Sequence, residues 1–242
     1  MHLFTLKNFI LIFLILTFAG PLWILLNGKI DLKTDWRFAN RDSSQLAPNP
    51  LDFPQAVVQV YSARTYSWRG VFAVHTWIAT KATNAKQYTV YQVIGWRVLR
   101  NLPALMTDPD IPDRNWFGQK PTIIYSVYGN EAEQLIPQIA KAATDYPYPN
   151  RYDLWPGPNS NTFTAFIARQ VPDMRLALPS IAIGKDYLPD LQFFARAPSG
   201  TGYQFSVFGI FGILIAAREG LEINILGLVY GFSPMTMTLK LP

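Results

Sequence analysis

The amino-terminal apolar segment constrains this chain more than any other feature. Residues 9–26 form an unbroken run without a charged side chain. An α-helix rises about 1.5 Å per residue, so the run would reach roughly 27 Å, which is close to the hydrocarbon thickness of a bilayer. We therefore predict a membrane anchor over residues 1–28, and we expect the rest of the chain to work at a membrane surface.

The main alternative to an anchor is a secretory signal peptide, because Lys7 precedes the apolar run as a positively charged n-region should. No pair of small residues closes the run to make a cleavage site, and Trp23 continues it toward the membrane interface. An uncleaved anchor is the better interpretation. Lys29 and Lys33 follow the run and weaken the charge asymmetry that fixes orientation. We expect the domain to face the periplasm.

The composition excludes several kinds of site. The chain has no cysteine, which suits an exported protein and rules out disulfides, thiolate metal sites and a cysteine nucleophile. The formal net charge is +5, but the arginines that neighbour tryptophans are scattered along the chain, so nucleic acid is not an expected partner. Membrane lipid is an expected partner, together with an envelope polymer or a lipid substrate. No cofactor and no metal ion is predicted.

Residues 29–54 are polar and rich in proline, which is typical of a linker that leaves a membrane. A single globular domain is predicted over residues 55–242. Its first part holds β-branched and aromatic runs that favour neighbouring strands, and a proline-rich segment between two of them predicts an irregular surface excursion. The strands are predicted to begin at Val57 and to cover residues 71–80, 88–98 and 122–128, with the excursion over residues 99–121.

Two helices are predicted after these strands. Asn130 is expected to cap the first helix, because it precedes an apolar stripe at helical spacing. The second helix is expected to run from Ser160 or Asn161 to Gln170.

Residues 203–232 form the second most apolar part of the chain, but glycines and charged residues interrupt them. Each apolar arm is too short for a bilayer helix, so two strands that turn at residues 218–220 are predicted, in a hairpin suited to lie against a membrane. The predicted fold class is α+β. An N-terminal transmembrane helix is followed by a mainly antiparallel sheet or half-barrel with two packed helices.

His75 stands alone in an apolar strand, and burying an imidazole there is costly unless its nitrogen atoms find partners. Three interpretations are open. In the first, His75 is a core histidine that is hydrogen-bonded to the backbone. In the second, it is a general base or acid, and in the third it binds a ligand.

Ser160 follows a Pro/Gly turn at the predicted start of the second helix. As an N-cap, Ser160 would accept a hydrogen bond from a backbone N–H group. As a nucleophile, it would use the same helix end to stabilise an oxyanion, provided that a base such as His75 reached its hydroxyl. The two roles are compatible if Asn159 or Asn161 caps the helix instead.

Four motifs carry a resemblance to a known family. They are FAVHTWIA at residues 72–79, GPNSNTF at residues 157–163, IGKDYLP at residues 183–189 and ARAPSGTG at residues 195–202. With these motifs, the run from about residue 58 to residue 241 resembles an uncharacterised family of bacterial membrane-anchored proteins. The family is classed as a domain of unknown function, so the resemblance implies an envelope protein and no particular reaction.

A second resemblance rests on the order of elements. A strand histidine that is followed by an asparagine and a nucleophile at a helix start is similar to circularly permuted NlpC/P60-like, papain-type hydrolases, and this implies a permuted papain-like arrangement. Those enzymes carry cysteine where this chain has Ser160, so the exchange demands a better-placed base or marks a loss of catalysis. The residue that orients the imidazole is left open. The candidates are Tyr91, Gln92, Asp153 and Asp186.

The expected function is that of a membrane-anchored envelope protein. One hypothesis is an amide or ester hydrolase, in which His75 activates Ser160 to attack lipid or cell-wall peptide. The alternative is a non-catalytic envelope module that binds lipid, glycan or a membrane partner. The residues predicted to bind a ligand are Asn159, Asn161, Tyr91, Gln92, Trp155, Lys185 and Asp186.

Overall fold

The computed structural model describes residues 5–28, 30–33 and 35–242, and within them it shows a long apolar helix, two antiparallel sheets and two helices packed on the first sheet. The α-helices are α1 Leu6–Leu26, α2 Gly95–Val98, α3 Gly129–Thr144 and α4 Ser160–Gln170, and 3₁₀ turns cover Ser67–Val71, Pro172–Met174 and Pro189–Leu191. The strands are β1 Val57–Arg64, β2 Val74–Lys81, β3 Thr89–Val93, β4 Leu105–Pro109, β5 Thr122–Tyr128, β6 Phe194–Arg196, β7 Gly202–Val207, β8 Phe211–Ala216, β9 Gly220–Ile225, β10 Leu228–Ser233 and β11 Thr238–Lys240. The predicted α+β class with antiparallel strands is confirmed.

Helix α1 is long and apolar enough to cross a membrane, as the uncharged run predicted. One side of it packs on the folded part of the chain. The ring centroid of Phe13 lies 5.5 Å from that of Tyr230, and the Thr17 hydroxyl lies 2.6 Å from the Tyr230 hydroxyl. Phe18 meets Phe72 edge to face, with centroids 6.5 Å apart. The helix therefore contacts both the turn before β2 and strand β10.

The first sheet has the strand order β4-β3-β2-β1-β5. All residues of β2 are buried, because both faces of this strand are covered. Two boundaries were predicted wrongly. The strand predicted over residues 88–98 ends at Val93, because the chain turns into α2 at Gly95. The predicted excursion contains β4, a largely exposed edge strand whose sequence lacks apolar alternation.

Both faces of the first sheet are packed. Helices α3 and α4 cover one face, where Ile78 of β2 meets Phe163 and Ile139 in the main core. On the other face, Tyr61 and Trp77 stack with ring centroids 5.5 Å apart, in a smaller second core. The sheet therefore separates two apolar clusters, and a side chain of β2 belongs to one or the other according to its position along the strand.

The predicted linker is held against the sheet over its second half. The carboxylate of Asp113 accepts hydrogen bonds from the Ser43 hydroxyl at 2.7 Å and from the backbone N–H groups of Leu46 and Ala47. Leu46 and Ala47 also pack against the second core. This part of residues 29–54 is a component of the fold.

Helix α3 begins one residue earlier than its predicted cap. Gly129 follows Tyr128 with a φ of 65°, which lets the chain turn directly from β5 into the helix. Asn130 therefore lies inside the first turn and does not cap the helix, so that prediction was wrong. The helix continues through Pro137 to Thr144.

The second sheet is a meander with the strand order β11-β10-β9-β8-β7-β6. The predicted turn at residues 218–220 is confirmed between β8 and β9. Each apolar arm was predicted as one strand but folds back into two. Gly209 and Gly227 allow these reversals, with φ values of 73° and 85°. The structure thus has two separate sheets in place of the predicted single sheet or half-barrel.

Candidate functional site

His75 lies in β2 and is 4 % exposed. Its ring stacks on Trp116 with centroids 3.6 Å apart, and its Nε2 atom lies 3.3 Å from Oε1 of Gln92. Burial lowers the pKa of His75 to about 3, and the hydrogen bond with Gln92 offsets only part of this effect. The imidazole is neutral at physiological pH and is a weak base. Of the residues proposed to orient it, Gln92 makes the contact, whereas Tyr91 points into the main core.

Ser160 lies on the opposite side of the sheet from His75. Neighbouring residues of a strand point to opposite faces, and Thr76 donates a hydrogen bond of 3.0 Å to Asn161 of α4. Asn161 in turn donates to the carbonyl of Val74 at 2.9 Å. Helix α4 therefore covers the face that the Thr76 side chain enters, and the His75 side chain points the other way. The structure does not bring the predicted catalytic pair together, because the sheet lies between the imidazole and the helix that carries the hydroxyl. Catalysis by these residues stays a prediction.

Helix α4 begins at Ser160, as predicted, but Asn159 caps it. The side chain of Asn159 accepts hydrogen bonds from the backbone N–H groups of Asn161 and Thr162, at 2.9 and 3.2 Å. The Thr162 hydroxyl accepts one from the backbone of Asn159 at 3.1 Å, which completes a capping box. The asparagine thus occupies the helix end that an oxyanion would have used.

The other residues of this region make hydrogen bonds within the protein. Asn159 and Asn161 both donate to the carbonyl of Ile183, at 3.1 and 2.8 Å. The indole of Trp155 donates to the carbonyl of Leu226 at 3.0 Å. These contacts hold the loops around α4 together. Ligand binding by these residues stays a prediction.

Lys185 and Asp186 form a buried ion network with the second sheet. The Nζ atom of Lys185 lies 2.6 Å from Oε2 of Glu222 and 3.1 Å from Oδ1 of Asp186. The Nζ atom of Lys240 lies 2.6 Å from the other carboxylate oxygen of Glu222. Burial on its own lowers the pKa of Lys185, but the two carboxylates outweigh it and raise the pKa above its ordinary value. The charged form of Lys185 is therefore favoured between the two carboxylates.

Amide side chains of the second sheet extend this network to α4. Asn224 and Gln204 each donate to the carboxylate of Asp186 at 3.0 Å. Arg169 of α4 donates to Oε1 of Gln204 at 2.6 Å and to the carbonyl of Lys185 at 3.0 Å. Burial lowers the pKa of Arg169 to about 10. The side chains of the network leave no room for a ligand between them, and they connect the second sheet to α4.

The second sheet turns its polar side inward and its apolar side outward. Gln204, Glu222 and Asn224 alternate along their strands with apolar residues and point into the protein, where they are buried. The strand register places the intervening side chains together on the outward face. The large apolar residues exposed there are Phe194, Tyr203, Phe205, Phe211, Ile213, Ile215, Leu221, Ile223, Phe232 and Leu239.

This outward apolar face is continuous with helix α1. Tyr230 lies opposite Ile223 in the register of β9 and β10, so its side chain projects from the same face. Tyr230 is the residue that contacts Phe13 and Thr17 of α1. Arg196 is the charged residue on this face, and it lies in the short edge strand β6. The apolar face of the second sheet and the apolar helix α1 therefore form one surface.

The sequence contains a signal for this face that the predictions missed. Apolar and polar residues alternate strictly in YQFSV at residues 203–207 and in LEINI at residues 221–225. Such alternation predicts strands with one polar and one apolar face. The usual assumption is that the apolar face is buried, and here the reverse is found.

The part of the chain that carries α4 matches a known protein family. The DUF3750 family, whose members are described as proteins of unknown function, matches residues 55–187, which is more than half of the chain. The chain belongs to the DUF3750 family. No curated protein and no solved structure matches it.

The DUF3750 match covers the first sheet, α3 and α4, and it ends directly after the ion pair of Lys185 and Asp186. The second sheet lies beyond the matched residues. The buried ion network is therefore the joint between the DUF3750 region and the sheet that carries the outward apolar face.

Proposed function

We propose that this DUF3750 protein is a non-catalytic, membrane-anchored envelope module whose second sheet lies with its apolar face in the bilayer. The observation that carries the proposal is the reversed polarity of that sheet, which buries its polar side and exposes its apolar side. Apolar surface gains free energy when it leaves water, so a face of this composition requires an apolar partner. Bilayer hydrocarbon is the partner proposed here.

Continuity with α1 favours lipid over a protein partner. Phe13 and Thr17 lie near the middle of the helix and touch Tyr230 on the sheet. If α1 spans the membrane, this contact places the edge of the sheet at the depth of the hydrocarbon. The outward face then enters the same apolar layer without any rearrangement of the chain.

The free energy available from the outward face is large. Full transfer of a Leu, Ile or Phe side chain from water gains about 1.5–3 kcal/mol. The exposed residues of this face are about half accessible, so each contributes roughly 1 kcal/mol, and together they contribute on the order of 10 kcal/mol. The net positive charge of the chain adds attraction to anionic head groups. The proposal also places the folded domain in the periplasm, because a chain without cysteine suits an exported protein.

Binding is proposed in preference to hydrolysis because of the position of His75. The resemblance to permuted papain-like hydrolases requires an imidazole at the nucleophile, and His75 is stacked on Trp116 across the sheet from Ser160. A histidine whose pKa is lowered to about 3 by burial is also a poor general base for a hydroxyl.

Site-directed nitroxide labelling tests the proposal in the full chain. Because the chain has no cysteine, each introduced cysteine gives a single label. Ile215→Cys and Ile223→Cys place labels on the outward face, whereas Lys120→Cys and Gln134→Cys place them on the exposed surface of the DUF3750 region. The proteins are reconstituted into vesicles of phosphatidylglycerol and phosphatidylcholine. The relaxation of each label by oxygen and by a water-soluble nickel complex is then measured.

Labels at positions 215 and 223 are expected to collide mainly with oxygen, which concentrates in hydrocarbon, and the two controls mainly with the nickel complex. The proposal fails if the outward labels are as accessible to nickel as the controls. Short distances between labels of two copies at position 223, without preferential oxygen access, would assign the face to a dimer instead.

A further inference from the structure

A cleft between the DUF3750 region and the segment that precedes it has the composition of an anion-binding site. It encloses about 680 Å³ and is lined by four arginines and four aromatic side chains. Among the described residues that line it, none is acidic. The arginines are Arg37, Arg41, Arg69 and Arg100, and Trp36 and Trp96 are two of the aromatic residues.

The guanidinium groups of Arg41 and Arg100 are oriented by contacts that leave their charge uncompensated. Arg41 donates to the carbonyls of Trp36 and Ala39, and it lies 4.7 Å from the ring centroid of Phe117. Arg100 stacks on Trp96, with its guanidinium carbon 5.0 Å from the ring centroid.

Only Arg37 of the four forms a salt bridge within the described parts of the chain, and its partner is Asp35. Gathering like charges around one cleft is unfavourable unless an anion enters it.

The position of the cleft relative to α1 indicates where the anion comes from. Arg69 belongs to the 3₁₀ turn Ser67–Val71, and Gly70 of this turn lies against the side chain of Ile30, which follows the end of α1. Arg37 follows the helix end at Leu26 by a short segment. A cleft beside the end of a spanning helix lies near the level of the lipid head groups, where tryptophan is also favoured.

We infer that this cleft binds a phosphate group, and that phosphate-bearing lipid and small soluble phosphate esters share the chemistry that it recognises. Guanidinium groups form paired, charge-assisted hydrogen bonds with phosphate oxygens, and several of them match a group that carries more than one acceptor oxygen. The aromatic walls provide apolar contact for the glycerol or acyl part of the ligand.

The test uses the full chain in dodecylmaltoside micelles, with tryptophan fluorescence as the signal because Trp36 and Trp96 line the cleft. Three probes are titrated: dioctanoyl phosphatidic acid, dioctanoyl phosphatidylcholine and glycerol 3-phosphate. The cleft variants are Arg100→Gln and the double variant Arg69→Gln/Arg100→Gln. The matched control is Arg151→Gln/Arg175→Gln, which removes two exposed charges outside the cleft.

Phosphatidic acid is expected to bind with saturation and more tightly than zwitterionic phosphatidylcholine. Arg100→Gln should weaken binding about tenfold, the loss expected for one charge-assisted hydrogen bond, and the double variant should weaken it further. The control should bind as the unchanged protein does. Unaltered thermal melting of each variant shows that the loss is local.

Binding of both phosphatidic acid and glycerol 3-phosphate assigns the site to phosphate in general, and binding of the lipid alone assigns it to a head group. Absence of saturable binding by either probe overturns the inference, and so does an equal loss in the cleft variants and the control. The cleft and the outward face of the second sheet share no residue, so the labelling experiment and this titration can fail independently.

Discussion

Replacing Lys185 with methionine tests whether the buried ion network holds the second sheet on the DUF3750 region. Methionine preserves the length and the apolar stem of the side chain but removes the charge that lies between Glu222 and Asp186. Lys240 is then the remaining cation beside Glu222. Because the lysine and both carboxylates are almost fully buried, water cannot replace the lost ammonium group without opening the joint.

The magnitude follows from the burial of the network. Removing one partner of a buried ion pair costs about 3–5 kcal/mol, because the other charge is left uncompensated. For a protein of this size each kcal/mol shifts the melting temperature by about 2–4 °C, so a decrease of roughly 6–20 °C is expected. The assay is thermal unfolding of the full chain in detergent micelles, followed by near-ultraviolet circular dichroism.

Lys141→Met is the matched control. Its ion pair with Asp145 lies on the surface of α3, where the two side chains are 76 % and 54 % exposed. Such pairs contribute about 0–1 kcal/mol, so the control should melt within about 4 °C of the unchanged protein. If Lys185→Met destabilises the protein no more than the control does, the proposed joint is refuted.

The pH dependence of the melting temperature gives a second measure of the same network. Burial on its own raises the pKa of Glu222, but Lys185 and Lys240 outweigh it and lower the pKa below the ordinary 4.5. The unfolded chain therefore takes up the proton first as the pH falls. The stabilisation is complete above about pH 4.5 and is lost as the pH falls through the folded-state pKa. Lys185→Met should reduce this acid-side loss.

Three further predictions concern the helix start, Ser160 and the outward face. Asn159→Ala should lower the unfolding free energy by about 2–4 kcal/mol, because it removes a helix cap and buried hydrogen bonds. Ser160→Ala should lower it by under about 1.5 kcal/mol. Urea unfolding of both variants in micelles measures the difference. A fluorophosphonate probe should not label folded protein, and labelling that Ser160→Ala abolishes would restore the hydrolase hypothesis. Ile215→Lys should reduce protection of the outward face by vesicles in hydrogen exchange, since it replaces a side chain that is 65 % exposed by a charge; Lys120→Gln should leave that protection unchanged.

Local signals in the sequence located several elements correctly. The uncharged run predicted α1, and Ser160 was predicted as a possible first residue of α4. The charged and glycine-containing turn at residues 218–220 was also found. Each of these depends on neighbouring residues along the chain, through apolar length, capping chemistry or turn chemistry. Strand β4 was missed because edge strands need little apolar character.

The arrangement of the candidate site could not be predicted from local sequence signals. The spacing of His75 and Ser160 along the chain contained no information about the sheet that separates them. Whether two distant residues meet depends on which face of a strand each side chain leaves, and on which face a helix then covers. A shift of one residue in the register of the strand would turn the histidine side chain to the other face of the sheet and reverse the outcome.

The sequence by itself determined that an apolar segment precedes a mixed α+β fold, that no thiol chemistry is present, and that the second sheet has one polar and one apolar face. Tertiary structure alone decided which of those faces points outward. A strand's alternation has a period of two and is the same whichever side is buried, so the choice depends on what packs behind the sheet. Here Lys185 and Asp186 lie behind it and bind Glu222 and Asn224, and this draws the polar face inward and leaves the apolar face outside.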